Sequence, residues 1–251
     1  MTPDDGPTTA DHDLATELAA ASGALLLEVR GEGLEGKELK DAGDLRSHEH
    51  LMAALAERAP DDGVLSEEGA DDPARLDKRR VWIVDPLDGT REFSELDRSD
   101  WAVHVALAID GVVVAGAVAL PALGRTYSTA VIPEVPLVDR APRILVSRTR
   151  PTEHARLIAE KLDGELVPMG SAGAKAMAVV RGEADIYAHS GGQYEWDSAA
   201  PVAVAQAAGL HVSRLDGSPM RYNQPNPWLP DLLICRPELA ERVLAIGLPS
   251  D

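Results

Sequence analysis

The sequence predicts a fold in two parts, an α+β half followed by an α/β half. Three observations carry that prediction. The opening quarter of the chain repeats its apolar residues at helical spacing. Two long β-rich runs then meet at Asp110-Gly111. Beyond a stretch punctuated by prolines, short apolar runs alternate with helical ones. At 251 residues the chain is long enough for one large domain or two fused subdomains. Aromatic residues are only 4% against 45% hydrophobic, so Ala, Val and Leu must do most of the packing.

Taken in order, residues 1–8 are rich in Pro, Gly, Thr and Asp and read as disordered. Leu14, Leu18, Ala21 and Leu25 predict a helix over 11–30. Residues 31–43 hold four glycines and several charges and read as a mobile loop, with Lys40 and Asp44 at its far end. A second helix is expected over 47–58, capped by Ser47, with Leu51, Ala54 and Leu55 inward. Residues 81–84 form a buried strand that delivers Asp85 to its end. Residues 102–109 and 112–120 form a hairpin through Asp110-Gly111, and 125–131 adds a third antiparallel strand. Pro133, Pro136 and Pro142 mark a linker, which sets subdomains at 9–135 and 136–251. In the second half, strands are expected at 143–147, 165–169, 184–188 and 231–235. Helices are expected at 151–162, 172–181 and 198–208, the last closed by Gly209.

The formal net charge of -18, with no basic run, argues against nucleic acid polymers and anionic membranes as partners. No apolar stretch reaches the roughly 18 residues of a membrane span. The acidic N-terminus lacks the basic-then-apolar order of a signal peptide, so a cytoplasmic protein is expected. The single cysteine, Cys235, lies in an apolar run and reads as a buried thiol.

The chemistry centres on Asp85-Pro86-Leu87-Asp88-Gly89-Thr90. Two carboxylates three apart, with the exposed carbonyl of Leu87, offer the oxygen donors that Mg²⁺ prefers. Without a cation these two acids should repel each other. Gly89 allows a phosphate to approach closely, and a helix starting at Thr90 would favour an anion. Upstream stands Glu67-Glu68 and downstream Trp196-Asp197 at the start of an Ala-rich helix. Each of these alone also reads as a turn or a helix cap.

Together and in this order, Glu-Glu, Asp-Pro-Leu-Asp-Gly-Thr and Trp-Asp resemble the metal site of the inositol monophosphatase superfamily. The resemblance runs from about residue 10 to about 240 and includes 170–175 and 196–200. It implies a layered αβαβα sandwich of the sugar-phosphatase type, combining α/β and α+β halves, with the site between them. It also implies a lithium-sensitive, Mg²⁺-dependent phosphomonoesterase, two or three ions per site, and a homodimer. Segments 171–179, 191–201 and 214–224 resemble the bacterial, and particularly the actinobacterial, branch that removes the 3'-phosphate of 3'-phosphoadenosine 5'-phosphate (PAP) in sulfur assimilation. Inositol-1-phosphate or fructose-1,6-bisphosphate are the alternative substrates. A catalytically silent nucleotide-binding regulator is the alternative of another class.

Residue by residue, the resemblance implies that Glu67, Asp85 and the Leu87 carbonyl hold one Mg²⁺. Asp85, Asp88 and Asp197 hold a second, and a third touches Glu67 with Asp44 close by. Thr90 and Asp44, with Glu67, form the catalytic group that orients and deprotonates water. Asp88, Gly89, Thr90, Ser147, Arg148, Gly170, Ser171 and Lys175 are the expected substrate contacts. Arg148 and Lys175 also read as ordinary surface charges.

Overall fold

The computed structural model describes residues 6–247. Among the described residues, two five-stranded sheets and six helices stack as five layers, α, β, α, β, α, which is the architecture expected.

The outermost layer is α1 (Thr9–Arg30) and α2 (Gly36–Arg58). Residues 1–5 of the stretch expected to be disordered lie outside the described residues. Thr8, within that stretch, instead caps α1: its hydroxyl accepts from the Asp11 amide at 3.3 Å, and Asp11 accepts from the Thr8 amide at 2.7 Å. The helix therefore starts two residues earlier than its apolar spacing suggests.

The expected loop over 31–43 is largely helix. The buried residues of α2 are Leu39, Gly43, Ser47, Leu51 and Leu55, a stripe with four-residue spacing. Two of its five positions are not apolar, which hides the pattern. Gly43 is needed for contact: a Cβ there would stand 2.7 Å from Phe93 Cε1 and 2.9 Å from Leu87 Cδ2. Ser47 is not a cap. Its hydroxyl is buried between Ser22 Oγ and the Pro86 carbonyl, each at 2.6 Å.

The first sheet has the order β1 (Gly63–Ser66), β2 (Arg80–Asp88), β3 (Ala102–Ile109), β4 (Val112–Leu120) and β5 (Arg125–Ser128). β1 runs parallel to β2 and the other pairings are antiparallel. Asp110 (φ 52°) and Gly111 (φ 75°) make the hairpin turn at the expected place. Both faces of the sheet are buried along most of β3 and β4, so those two strands are almost wholly apolar. Val103, Val105 and Leu107 face α1 and α2, while Ala102, Ala106 and Ala108 face the central layer.

That central layer is α5 (Ala172–Val180) and α6 (Glu195–Ala207). The scarcity of aromatics has its consequence here. A Cβ on Gly116 would stand 2.9 Å from Ala203 Cβ and 3.3 Å from Ala200 Cα, so small residues let α6 lie close on the sheet.

The second sheet has the order β10 (His211–Ser213), β12 (Leu232–Cys235), β8 (Ile186–His189), β6 (Arg143–Ser147) and β7 (Glu165–Met169). α4 (Glu153–Leu162) and α7 (Pro237–Leu244) cover its far face. A short ribbon of β9 (Gln193–Tyr194) and β11 (Trp228–Leu229) leads into α6. Cys235 is buried in β12. Among the described residues no helix is long and apolar enough to cross a membrane.

Candidate functional site

The acids converge where β2 meets the central layer. Val81 and Ile83 point to that layer, so strand alternation turns Asp85 the same way. Leu87 points back to α1 and α2. Placing both Asp85 and Asp88 on one face, three residues apart, therefore needs a break in alternation. A register shift between Asp85 and Asp88 supplies it. The strand, expected over 81–84, continues through this irregularity to Asp88. β1 brings Glu67 alongside, its amide donating to the Val84 carbonyl at 3.3 Å.

Across the gap, α6 starts three residues before the expected position and carries Asp197 in its first turn. The Asp197 carboxylate is held by the Tyr194 amide at 2.6 Å. One oxygen each from Asp85, Asp88 and Asp197 lie within 4.8 Å of one another, a grouping that could hold a metal ion. Asp85 is 1% exposed. Its Oδ1 accepts from the Leu87 amide at 3.0 Å, and among the described residues its buried Oδ2 has no hydrogen-bond partner.

Asp88 is differently provided. Ser171 Oγ (2.5 Å) and the Gly173 amide (2.7 Å) donate to its Oδ2, and the Ala172 amide (3.1 Å) to its Oδ1. His104 Nε2 stands 3.2 Å from Oδ2. Burial would raise the Asp88 pKa, but His104, Ser171 and the Gly173 amide outweigh it and bring it down to about 2. Oδ1 keeps an unused lone pair.

The other acids move upward. Burial, then the charges of Glu67, Asp88 and Asp197, raises Asp85 well above the usual carboxylate range. Glu67 sits at the open edge of the cluster, but desolvation of its carboxyl, with Asp197, Asp88 and Glu68 nearby, takes it to about 7. Burial and the Asp88 charge take Asp197 to about 6. Asp44 also reaches about 6, through burial and the charge of Glu68. Four crowded carboxyls that resist ionisation are what a site for a cation looks like without its countercharge.

Gly89 is left-handed (φ 86°), and Thr90 follows as the first residue of α3 (Thr90–Ser94). Thr90 Oγ1 lies 3.3 Å from Asp44 Oδ1 and 3.2 Å from the Leu87 carbonyl. Asp44 reaches this point because Gly43 lets α2 settle on Leu87 and Phe93.

The remaining expected contacts lie to one side. Arg148 is paired with Glu92 and Glu95, at 2.5 and 3.2 Å. The Gly170 amide donates to Asp100 at 2.6 Å. The Lys175 ammonium is buried, donates to the carbonyls of Gly170 and Ser171, and stands over the Tyr187 ring at 5.2 Å. Tyr187 lines a cavity of about 210 Å³ with Ser147, Arg150, His189, Gly191 and Gly192. Arg150, Tyr187 and His189 were not anticipated. The one signal is position: Arg150 stands just beyond the C-terminal end of β6 and His189 at that of β8, where α/β sheets open crevices, with Tyr187 two residues earlier in β8.

Residues 10–246 match the description of the inositol monophosphatase family. The chain is 51% identical to a protein of Mycobacterium leprae (strain TN) named 3'-phosphoadenosine 5'-phosphate phosphatase, over 94% of this chain and 93% of that one. It is 33% identical to the 3'(2'),5'-bisphosphate nucleotidase CysQ of Escherichia coli (strain K12), over 72% and 78%. Among solved structures, CysQ from Bacteroides thetaiotaomicron superposes with a TM-score of 0.77 at 27% identity, covering 91% and 97%. Inositol monophosphatase II from Staphylococcus aureus MSSA476 shares the fold, with a TM-score of 0.81 at 23% identity over 94% and 95%.

Proposed function

The chain belongs to the inositol monophosphatase family, and from that premise we propose that it is a Mg²⁺-dependent phosphomonoesterase that converts PAP to AMP and phosphate. The observation that carries the metal reading is the unpartnered, buried Oδ2 of Asp85 beside the oxygens of Asp88 and Asp197. The names of the mycobacterial and enterobacterial relatives support the substrate.

In this reading Glu67, Asp85 and the Leu87 carbonyl would hold one Mg²⁺, Asp85, Asp88 and Asp197 would hold a second, and Glu67, with Asp44 near, would serve a third. Bound Mg²⁺ supplies positive charge to the phosphoryl group and makes water a stronger nucleophile. The chain's own residues do the rest. Thr90 and Asp44 hold a water between them, and Asp44, raised to about 6, takes its proton as that water attacks phosphorus. The bond from phosphorus to the 3' oxygen breaks with its electron pair on that oxygen, which takes a proton from solvent to become the 3'-hydroxyl of AMP. Gly89 and Thr90 contact the phosphoryl group.

The nucleoside with its 5'-phosphate lies toward the cavity of Ser147 and Arg150. Tyr187, Lys175 and Ser171 link that cavity to Asp88, so the 3' and 5' ends of one ligand are served by connected structure. Arg148, Gly170 and Lys175 support the walls of this region. The division near residues 135 and 136, inhibition by Li⁺, a homodimer and a cytoplasmic location go with the same reading.

The test is phosphate release from PAP, inositol-1-phosphate and fructose-1,6-bisphosphate side by side. PAP should have the highest kcat/KM; a preference for either sugar phosphate would replace the substrate and keep the metal chemistry.

A further inference from the structure

His104 is a polar ring in a strand otherwise made of Ala, Val, Leu and Ile, and it is fully buried on the face that meets the central layer. Both of its nitrogens face site elements. Nδ1 lies 3.0 Å from the Trp196 carbonyl; a carbonyl only accepts, so Nδ1 donates. Nε2 lies 3.2 Å from Asp88 Oδ2, a close approach of the ring tip to the carboxylate rather than a hydrogen bond. The neighbouring helix leaves room for the ring: a Cβ on Gly173 would stand 2.1 Å from Nε2. Gly173 thus closes over the ring tip while its amide donates to the same Asp88 oxygen.

We propose that His104 is a positioning residue, a strut between β2 and α6 that fixes the separation of Asp88 from Asp197 and so fits the acid cluster to a divalent cation. One end is set by Asp88. The other is set by Trp196, whose chain neighbour Asp197 is itself pinned by the Tyr194 amide. The rigid ring spans the gap, whereas a flexible side chain would let α6 drift relative to the strand. Groups that orient ligating carboxylates commonly contribute about 10–100-fold to metal affinity. The proposal rests on the reading that Asp88 and Asp197 hold Mg²⁺.

The experiment is calorimetric titration of metal-stripped protein with Mg²⁺ alone, with no substrate present. His104→Leu fills the volume and removes both contacts. His154→Leu is the control: His154 is also buried and lies in α4, away from the acid cluster. Mg²⁺ affinity should fall about tenfold or more in His104→Leu and stay at the wild-type value in His154→Leu. Unchanged affinity in His104→Leu overturns the proposal, as does an equal loss in both variants, which would indicate general loosening. Should His104→Leu fail to fold, His104→Gln, which keeps one of the two contacts, is read instead. It should lose affinity several-fold, and wild-type binding by it overturns the proposal. Wild-type protein that takes up no Mg²⁺ overturns the metal reading itself, a result distinct from the others.

Discussion

Ser171 Oγ donates to Asp88 Oδ2 at 2.5 Å across 83 residues of sequence, so an acid at the end of β2 caps the helix that opens the central layer. The same Ser171 oxygen accepts from the Ala174 amide at 2.9 Å, and Ser171 adopts a left-handed φ of 49° to serve both. Asp88 is therefore structural in the metal-free protein. Its depressed pKa means that the fold favours its charged form. Asp88→Asn should destabilise metal-free protein by roughly 1–3 kcal/mol, through lost charge-assisted bonds. Thermal melts in chelator check this. The repulsion expected from two acids on one turn has the opposite sign and would make the variant more stable.

The raised acids give the metal-free protein an unusual response to pH. A carboxyl whose folded pKa exceeds its unfolded value binds more protons when folded. Its penalty is full above the folded pKa and relieved as pH falls toward the unfolded one. Glu67 at about 7, with Asp44 and Asp197 at about 6, places this relief between pH 7 and the ordinary carboxylate range. Asp88 acts oppositely, but only below the ordinary range. Melting temperature in chelator should rise as pH is lowered from about 8 to about 5. Mg²⁺ should stabilise more at the higher pH, where the acids are charged.

Thr90 and Asp44 form a pair whose loss should be felt in chemistry rather than folding. Both are only partly buried, and their contact is a single 3.3 Å approach. Asp44→Asn should lower kcat by about 10²–10⁴-fold, the usual scale for a general base, with little change in KM or melting temperature. Steady-state kinetics beside a melting curve separates the two effects.

Two arginines near the cavity should behave differently under charge reversal. Arg150 lines the cavity and is exposed. Arg150→Glu should raise KM for PAP about 10-fold or more, the scale of a lost bond to a charged group, and leave KM for inositol-1-phosphate unchanged. Arg148 is already matched by Glu92 and Glu95, so Arg148→Glu should chiefly lower the melting temperature.

The sequence was most legible where a local rule decides structure. Asp110-Gly111 placed its hairpin to the residue, and the strands at 143–147 and 165–169 also fall where read. The ordered acids identified the family because spacing along the chain survives folding. What stayed hidden depends on partners distant in sequence. The first part of α2 reads as a loop, and Ser47 as the cap of a shorter helix, because Gly43 and Ser47 occupy its buried stripe, each for a contact with the strand-to-helix segment near Pro86 and Phe93. Asp88 as a cap, and His104 between Asp88 and Trp196, need the two halves in register before either is visible. Lys175 looked available in sequence but turns inward to carbonyls of its own helix start.

The most direct measurement is product formation from PAP by protein stripped of metal and then titrated with Mg²⁺, with AMP and phosphate both quantified. The expected result is no turnover in chelator, then AMP and phosphate appearing in equal amounts as Mg²⁺ is restored. Turnover that persists after exhaustive chelation, or a Mg²⁺-loaded protein that releases no AMP, would contradict the account.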